Sequence, residues 1–360
     1  MIVLRILLAL LGAVVVGLTV ASAFRTVVLP RGVPARLGRV VFEAIREIYE
    51  LRMRRASTYE ARDSIMSTYG PLSLLALLQV WLLVVWIGYT AVYIALGNTF
   101  VDALRESGSS LLTLGFDRPP GTGEVLVAFT EASVGLVLLA LLITYLPSLY
   151  QAFSRREAAV AKMAVRAGEP PSGVEMLVRA WRLGRGDLLN NVWVSWEDWF
   201  VDIEETHTSF PALSFFRSPQ PGQSWVTSAG AVLDGAALYA STIDAERDLD
   251  AELCLRAGYL ALRRIGTFFS MPFNPDPSPE EAISITRLEY DEALQRLREV
   301  GVPIRSDVDQ AWRDFSGWRV NYEPVLLGLA TLTMAPYAPW SSDRSAAFRR
   351  PPVFRLLHRG

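Results

Sequence analysis

Two stretches of the sequence gather residue types able to do chemistry. The first is NTFVDALRESGSSLLTLGFD, residues 98–117, whose last five positions hold a hydroxyl at Thr113, a glycine at Gly115 and a carboxylate at Asp117. Glycine gives the backbone conformations that residues with side chains adopt reluctantly, and carboxylates at a pore mouth attract cations. The second is WVSWEDWFVDIEETHTSFPALSFFRSP, residues 193–219. Its Glu204, Glu205 and His207 carry donors that ligate divalent metals, or they form no more than a solvated helix end. Arg217 with Asp234 reads as a buried pair or as a ligand clamp. No residues stand in a nucleophile–base pattern, and no enzyme chemistry is predicted. No glycine-rich dinucleotide or phosphate loop and no cysteine-rich zinc pattern occurs, so no cofactor is expected.

The elements that must position these residues follow from the apolar runs. At 360 residues and 51% hydrophobic content the chain has room for a membrane part and one soluble domain. A hydrocarbon core of ~30 Å takes about 20 helical residues to cross. Residues 6–24, 72–96 and 125–146 meet that length, with Glu131 the one charge among them. Glu131 either supports the loop before it or snorkels to the outer interface. Gln79 reads as an interhelical hydrogen-bond donor, and Trp81 and Trp86 as packing residues.

Charge sets the orientation. Nine arginines, from Arg25 to Arg62, lie in 25–69, whereas 97–122 holds only Arg105 and Arg118. Arg155, Arg156, Lys162 and Arg166 follow the third run. Arginine-rich flanks stay in the cytoplasm, which puts the N-terminus and the 97–122 loop outside. The rival reading of 1–23 is a secretory signal ending at Ala21-Ser22-Ala23; it would leave the nine arginines outside, against the charge rule. Val41, Ala44, Ile45, Ile48, Tyr49 and Arg52 share one face of a basic amphipathic helix, which lies in the headgroup plane or packs on the soluble domain. A net charge of −2 implies no nucleic-acid surface, and the single Cys254 fits a reducing compartment. The near-exclusive use of Arg over Lys reads as the coding bias of a GC-rich, bacterial genome.

Between the second and third runs, 98–117 is too short and polar to span yet too apolar in its second half for a surface loop. A half-helix that dips in and returns as extended backbone fits it. Non-helical backbone at membrane depth is tolerated only where protein buries it or where it lines water. Here SLLTLGFD, residues 110–117, resembles the selectivity-filter signature of pore-loop potassium channels, Thr-Val-Gly-Tyr-Gly followed by Asp. Thr113, Leu114, Gly115 and Phe116 match its first four positions, with Leu for Val and Phe for Tyr; Asp117 stands where the family has glycine, or is the trailing acid after a deletion. The resemblance, to the bacterial two-transmembrane type of pore module, covers residues 70–157. It implies backbone carbonyls that replace the hydration shell of a permeant monovalent cation, potassium above all, and a homotetramer with one loop per chain in the lipid bilayer. It also implies a gating hinge at Gly135 and a kink at Pro147. The Asp117 departure bears on potassium-over-sodium selectivity. No Arg-rich voltage-sensing helix is present, and no intrinsic voltage gating is expected.

The expected fold class is therefore an all-α membrane protein. Its parts are a transmembrane or signal-like helix at 1–24, an Arg-rich cytoplasmic amphipathic segment at 25–69, and a pore module at 70–150 with its loop at 97–120. A linker at 151–172, an all-α cytoplasmic domain of five to seven helices at 173–340 and a flexible basic tail at 341–360 complete it. In the domain, Trp193, Trp196, Trp199, Phe200 and Ile203 fall at the spacing of a core face, and Ser278-Pro279-Glu280-Glu281 reads as a capping box opening a helix to Glu299. No nucleotide-sensing Rossmann domain is present. The partner or ligand of the domain is not encoded in any motif; a non-conducting sensor or scaffold with a degenerate channel fold is the alternative reading, and a membrane-tethered enzyme built on the cytoplasmic domain, which a deep polar pocket with clustered acids would favour, is a second rival.

Overall fold

A computed structural model describes residues 2–29, 36–117, 121–184 and 188–344. Among them the secondary structure is helical, with no strand beyond one isolated bridge between Ile243 and Ile304. Three helices are long and apolar enough to cross a membrane. The chain divides into two compact units: Met1–Arg55 with Thr68–Tyr150, and Ala56–Ser67 with everything from Gln151 onward.

In the first unit α1 (Ile2–Val27) packs on α4 (Tyr69–Leu96). The contact face of α1 is Gly12, Val16, Thr19 and Ala23, at alternating spacings of four and three. Small residues let helix backbones approach where no water drives them together. The two glycines show how close: a Cβ on Gly12 would strike the Gly88 carbonyl, and one on Gly88 would stand 2.7 Å from Val16 Cγ2. Residues 21–23 are helical and Ala23 is fully buried in this contact.

Helix α2 (Arg36–Met53) lies against the start of α4, with Tyr69 Oη donating to the Phe42 carbonyl at 3.0 Å. Its covered face is Val41, Arg46, Tyr49 and Met53. The apolar face read from sequence is thus rotated: Ala44, Ile48 and Arg52 are exposed, while Arg46 is inside, bonded to Glu50 and set over the Tyr69 ring. A buried guanidinium with an acid one turn on and an aromatic face beneath it behaves as an amphipathic packing residue.

Helix α5 (Phe100–Leu111) is the short element between the spans, and α6 (Thr122–Ala167) follows it without a break for 46 residues. The linker expected at 151–172 is accordingly corrected. Residues 151–167 are helical because Ala152, Arg156, Val160, Met163 and Ala167 recur every three or four positions and bury one face. Pro147 sits inside the continuous helix. The helix ends where Gly168 takes φ +86°, leaving 168–172 as the connection.

The second unit holds α3 (Tyr59–Ser67), α7 (Gly173–Arg182), α8 (Leu188–Ser209), a 3-10 turn (Pro211–Phe215), α9 (Trp225–Thr242), α10 (Leu249–Phe268), α11 (Arg287–Glu299), α12 (Val308–Arg319) and α13 (Glu323–Thr333). Seven α-helices fall in 173–340 among the described residues. Helix α9 is the hub, buried nearly all round as its apolar, small-residue sequence requires. Trp193, Trp196, Trp199, Phe200 and Ile203 are all in the core. The capping box is corrected to Thr286 with Glu289, and α11 starts at Arg287. Around Ser278 there is a turn only: its amide donates to Glu281 Oε1, while its hydroxyl accepts from the Glu280 amide. The basic tail from residue 345 lies outside the described residues.

Candidate functional site

The candidate loop is set by α5. Its Thr99 hydroxyl caps the first turn by accepting from the Asp102 amide at 3.3 Å. Three hydrogen bonds then hold the helix from its flanks. The Trp86 indole N–H donates to the Leu104 carbonyl at 3.1 Å, and Asn98 Nδ2 donates to Glu106 Oε2 at 2.7 Å. The Ser107 hydroxyl donates to Glu131 Oε1 at 2.5 Å, with the Trp86 carbonyl 3.2 Å away. Trp86 is therefore more than packing. Gly108 makes room for its indole, since a Cβ there would lie 3.3 Å from Nε1. Glu131 is fully buried and points to α5 rather than snorkelling outward.

The end of α5 is a Schellman motif built on an unusual residue. The Leu114 amide donates to the Ser109 carbonyl at 2.8 Å and the Thr113 amide to the Ser110 carbonyl at 3.0 Å. That places Thr113 at the left-handed position after the cap, with φ +55°. Glycine is usual there; a β-branched residue with positive φ is a genuine outlier, of the kind that clusters at functional sites. Gly115 is also left-handed, at φ +70°, with open space where a Cβ would go. Its glycine is required by conformation alone. The Asp117 amide returns to the Ser109 hydroxyl at 3.3 Å, and its carboxylate stands 3.9 Å from Arg105 Nε. Leu112, Leu114 and Phe116 are 53%, 60% and 61% exposed in the single chain.

Gly135 of α6 faces the end of α5, where any Cβ would run into the Leu111 carbonyl. Its position answers a packing demand beside the one read from sequence. Pro147 lies 12 residues further along α6 and leaves the Ile143 carbonyl without its helical donor.

The second stretch does not converge as a metal site. Among the described residues no three metal-binding side chains cluster. Glu204 pairs with Arg264 and Glu205 accepts from Ser209. His207 is buried, and Arg156 Nη1 lies 3.2 Å from its Nε2. A guanidinium has no acceptor, so Nε2 must accept, and the ring is neutral with its proton on Nδ1. Burial, reinforced by the Arg156 charge, pushes the imidazole pKa well below its usual value. Arg156 also donates to the carbonyls of Leu213 at 2.8 Å and Phe216 at 2.6 Å.

Arg217 and Asp234 are not partners. Arg217 bonds Asp63 at 2.7 Å, the Tyr59 hydroxyl at 3.0 Å and the carbonyls of Thr333 and Met334. Burial raises the Asp63 pKa against the pull of Arg217 and moves Tyr59 up to about 12. Asp234 instead pairs with the fully buried Arg319, accepts from Tyr322 at 2.8 Å, and is raised by burial to about 6. An open cleft of about 480 Å³ is lined by Glu175, Glu289, Glu292, Arg179 and Arg296. Its Glu175 is tied to Arg179 and Arg296, and its Glu289 to Arg344.

No protein-family model matches the chain, and no solved structure does. The chain is similar to the "uncharacterized membrane protein YdjJ" of Bacillus subtilis (strain 168), 26% identical over 185 residues. The match covers 48% of this chain and 53% of that protein, so the chain spans about half the length of the curated relative it matches.

Proposed function

We propose that the chain is a subunit of a pore-loop cation channel, potassium-like, in which four copies bring 113–117 together on one axis. The observation that carries the reading is the order span, capped half-helix, strained turn, span, with the filter-like string falling at the turn. Thr113 and Gly115 both hold left-handed backbone there, which bends the chain sharply as it leaves the half-helix. Glu131, Trp86 and Asn98 buttress the half-helix from behind. Hydrogen-bonded scaffolding of this kind is what a backbone-lined ion path needs to keep its carbonyls from collapsing or splaying. In this reading the permeant monovalent cation loses its water to the carbonyls of Thr113, Leu114, Gly115 and Phe116. Asp117 raises cation concentration at the outer mouth, and the helical unit from Gln151 onward is cytoplasmic and regulatory. A membrane location agrees with the name of the Bacillus relative.

A second reading is a non-conducting sensor on the same scaffold. Arg105 near Asp117 favours it, because a cation beside the carboxylate weakens the field at the mouth. Purified protein reconstituted in liposomes separates the two. The channel reading expects potassium and rubidium flux above empty-vesicle background, with sodium measured in parallel. Tetramers that pass none of the three ions would support the sensor.

A further inference from the structure

Helix α2 carries more apolar surface than α4 covers. Val40, Ala44, Ile48 and Leu51 recur at four, four and three residues and form one stripe. The stripe faces away from the protein: Val40 is 47%, Ile48 59% and Leu51 63% exposed, and Ala44 is exposed too. It runs beside the buried face of Val41, Tyr49 and Met53, so a single wide apolar arc is half covered and half bare. The remaining arc is charged. Over residues 36–55 six arginines stand against Glu43, Glu47 and Glu50, and one of those six, Arg46, is buried with Glu50. Arg36, Arg39, Arg52, Arg54 and Arg55 are exposed.

The helix also lies at a telling place. A Cβ on Gly38 would touch Leu77, and the Tyr49 hydroxyl is 3.0 Å from the Thr68 hydroxyl, so α2 slants across the first turns of α4. Those turns are where a spanning helix leaves the hydrocarbon for the headgroups. A helix with a bare apolar arc and surplus arginines at that level seats its apolar side at the acyl boundary and its cations among phosphates. We infer that α2 is an interfacial helix that recognises anionic lipid, with Val40, Ala44, Ile48 and Leu51 in the acyl boundary and the exposed arginines on the headgroups. The inference does not rest on ion conduction and stands if the pore is closed for good.

Depth-resolved quenching on the full-length protein tests it. An environment-sensitive fluorophore is placed at Ile48→Cys, Leu51→Cys and, on the charged arc, at the exposed Glu47→Cys. Each protein goes into nanodiscs of zwitterionic lipid, with or without added phosphatidylglycerol. Native Cys254 is buried and stays unlabelled. Labels at 48 and 51 should be quenched by acyl-brominated lipid and shielded from aqueous iodide, and the label at 47 should show the reverse. Phosphatidylglycerol should deepen the quenching at 48, salt should reverse that gain, and each Arg→Gln change at 36, 39 or 54 should weaken partitioning about fivefold. Iodide quenching at 48 in both lipids would mean that the stripe faces water. Quenching by neither agent would mean that protein covers it, a second copy or another part of the chain, and either result overturns the assignment. Bromolipid quenching at 48 that is indifferent to phosphatidylglycerol and to the arginines would overturn the anionic-lipid recognition and leave a neutral interfacial helix.

Discussion

Thr113 ends a helix in the conformation glycine is made for, and Gly115 repeats that conformation two residues on. At Gly115 nothing lies within 4 Å of a Cβ, so Gly115→Ala adds no clash and costs only its left-handed backbone, ~1–2 kcal/mol per chain. Liposomes carrying Gly115→Ala should lose potassium flux while helicity and assembly stay at wild-type values. Unchanged flux would take the loop out of the ion path. His207 offers a residue-scale test in the other unit. Its pKa is depressed in the folded state, so its contribution to stability is complete above the unfolded value near 6.5 and is lost as pH falls below it. Melting should therefore be lower at pH 5.5 than at 7.5. His207→Gln, whose amide oxygen can still accept from Arg156, should narrow that gap; an equal gap in both proteins would place the acid sensitivity elsewhere. What sequence revealed at this scale was local. The string 113–117 is contiguous and could be read directly, and so could the helical spacing of the tryptophans. The partners of Arg217 and Asp234 could not be read, because each pairs with a residue at least 85 positions away. The Trp86 bond to Leu104 gave one faint sign, a Gly108 inside a short helix.

Among the elements, α5 and α6 meet at a glycine, and that contact separates two roles for Gly135. If the residue serves only as a hinge, alanine stiffens α6 and leaves the packing alone. The structure puts the Leu111 carbonyl where the methyl would go. Gly135→Ala should therefore push α5 outward and destabilise the protein by roughly 1–3 kcal/mol, the usual cost of overpacking. Gly123→Ala on the same helix, with nothing within 4 Å, is the control that should melt like wild type. Element boundaries show where sequence patterns stop being sufficient. Both Ser278–Glu281 and Thr286–Glu289 match the capping pattern. Only the second is followed by Tyr290, Ala293, Leu294 and Leu297, which give a helix a face to bury. The supposed linker after Tyr150 failed for the same reason in reverse. Its buried face depends on a core assembled from later parts of the chain, and a polar, alanine-rich segment does not announce that core.

At the scale of the whole molecule, the chain passes from one unit to the other three times, at 55–56, 67–68 and 150–151. Two of these passages carry structure straight through: α3 is separated from α4 by Thr68 alone, and α6 does not break at all. On the side of the second unit, both are fastened to one short segment. Arg156 of α6 donates to the carbonyls of Leu213 and Phe216, and Arg217, the next residue, holds Asp63 of α3. The Arg217–Asp63 pair is nearly enclosed, at 11% and 10% exposure. Breaking it leaves a buried carboxylate without a countercharge, a loss of about 3 kcal/mol or more. Asp63→Asn with Arg217→Met removes both charges and should recover much of that loss. Hydrogen exchange on the full-length protein reads the consequence. Arg217→Met alone should speed exchange in 59–67 and 210–217 together, and the double variant should slow it again. The exposed pair Arg247–Glu252 provides the contrast, since Arg247→Met should leave both segments at wild-type rates. If 59–67 kept its protection in Arg217→Met, α3 would be held by something other than this pair, and the lead-in to α4 would not be coupled to segment 210–217 through Arg217.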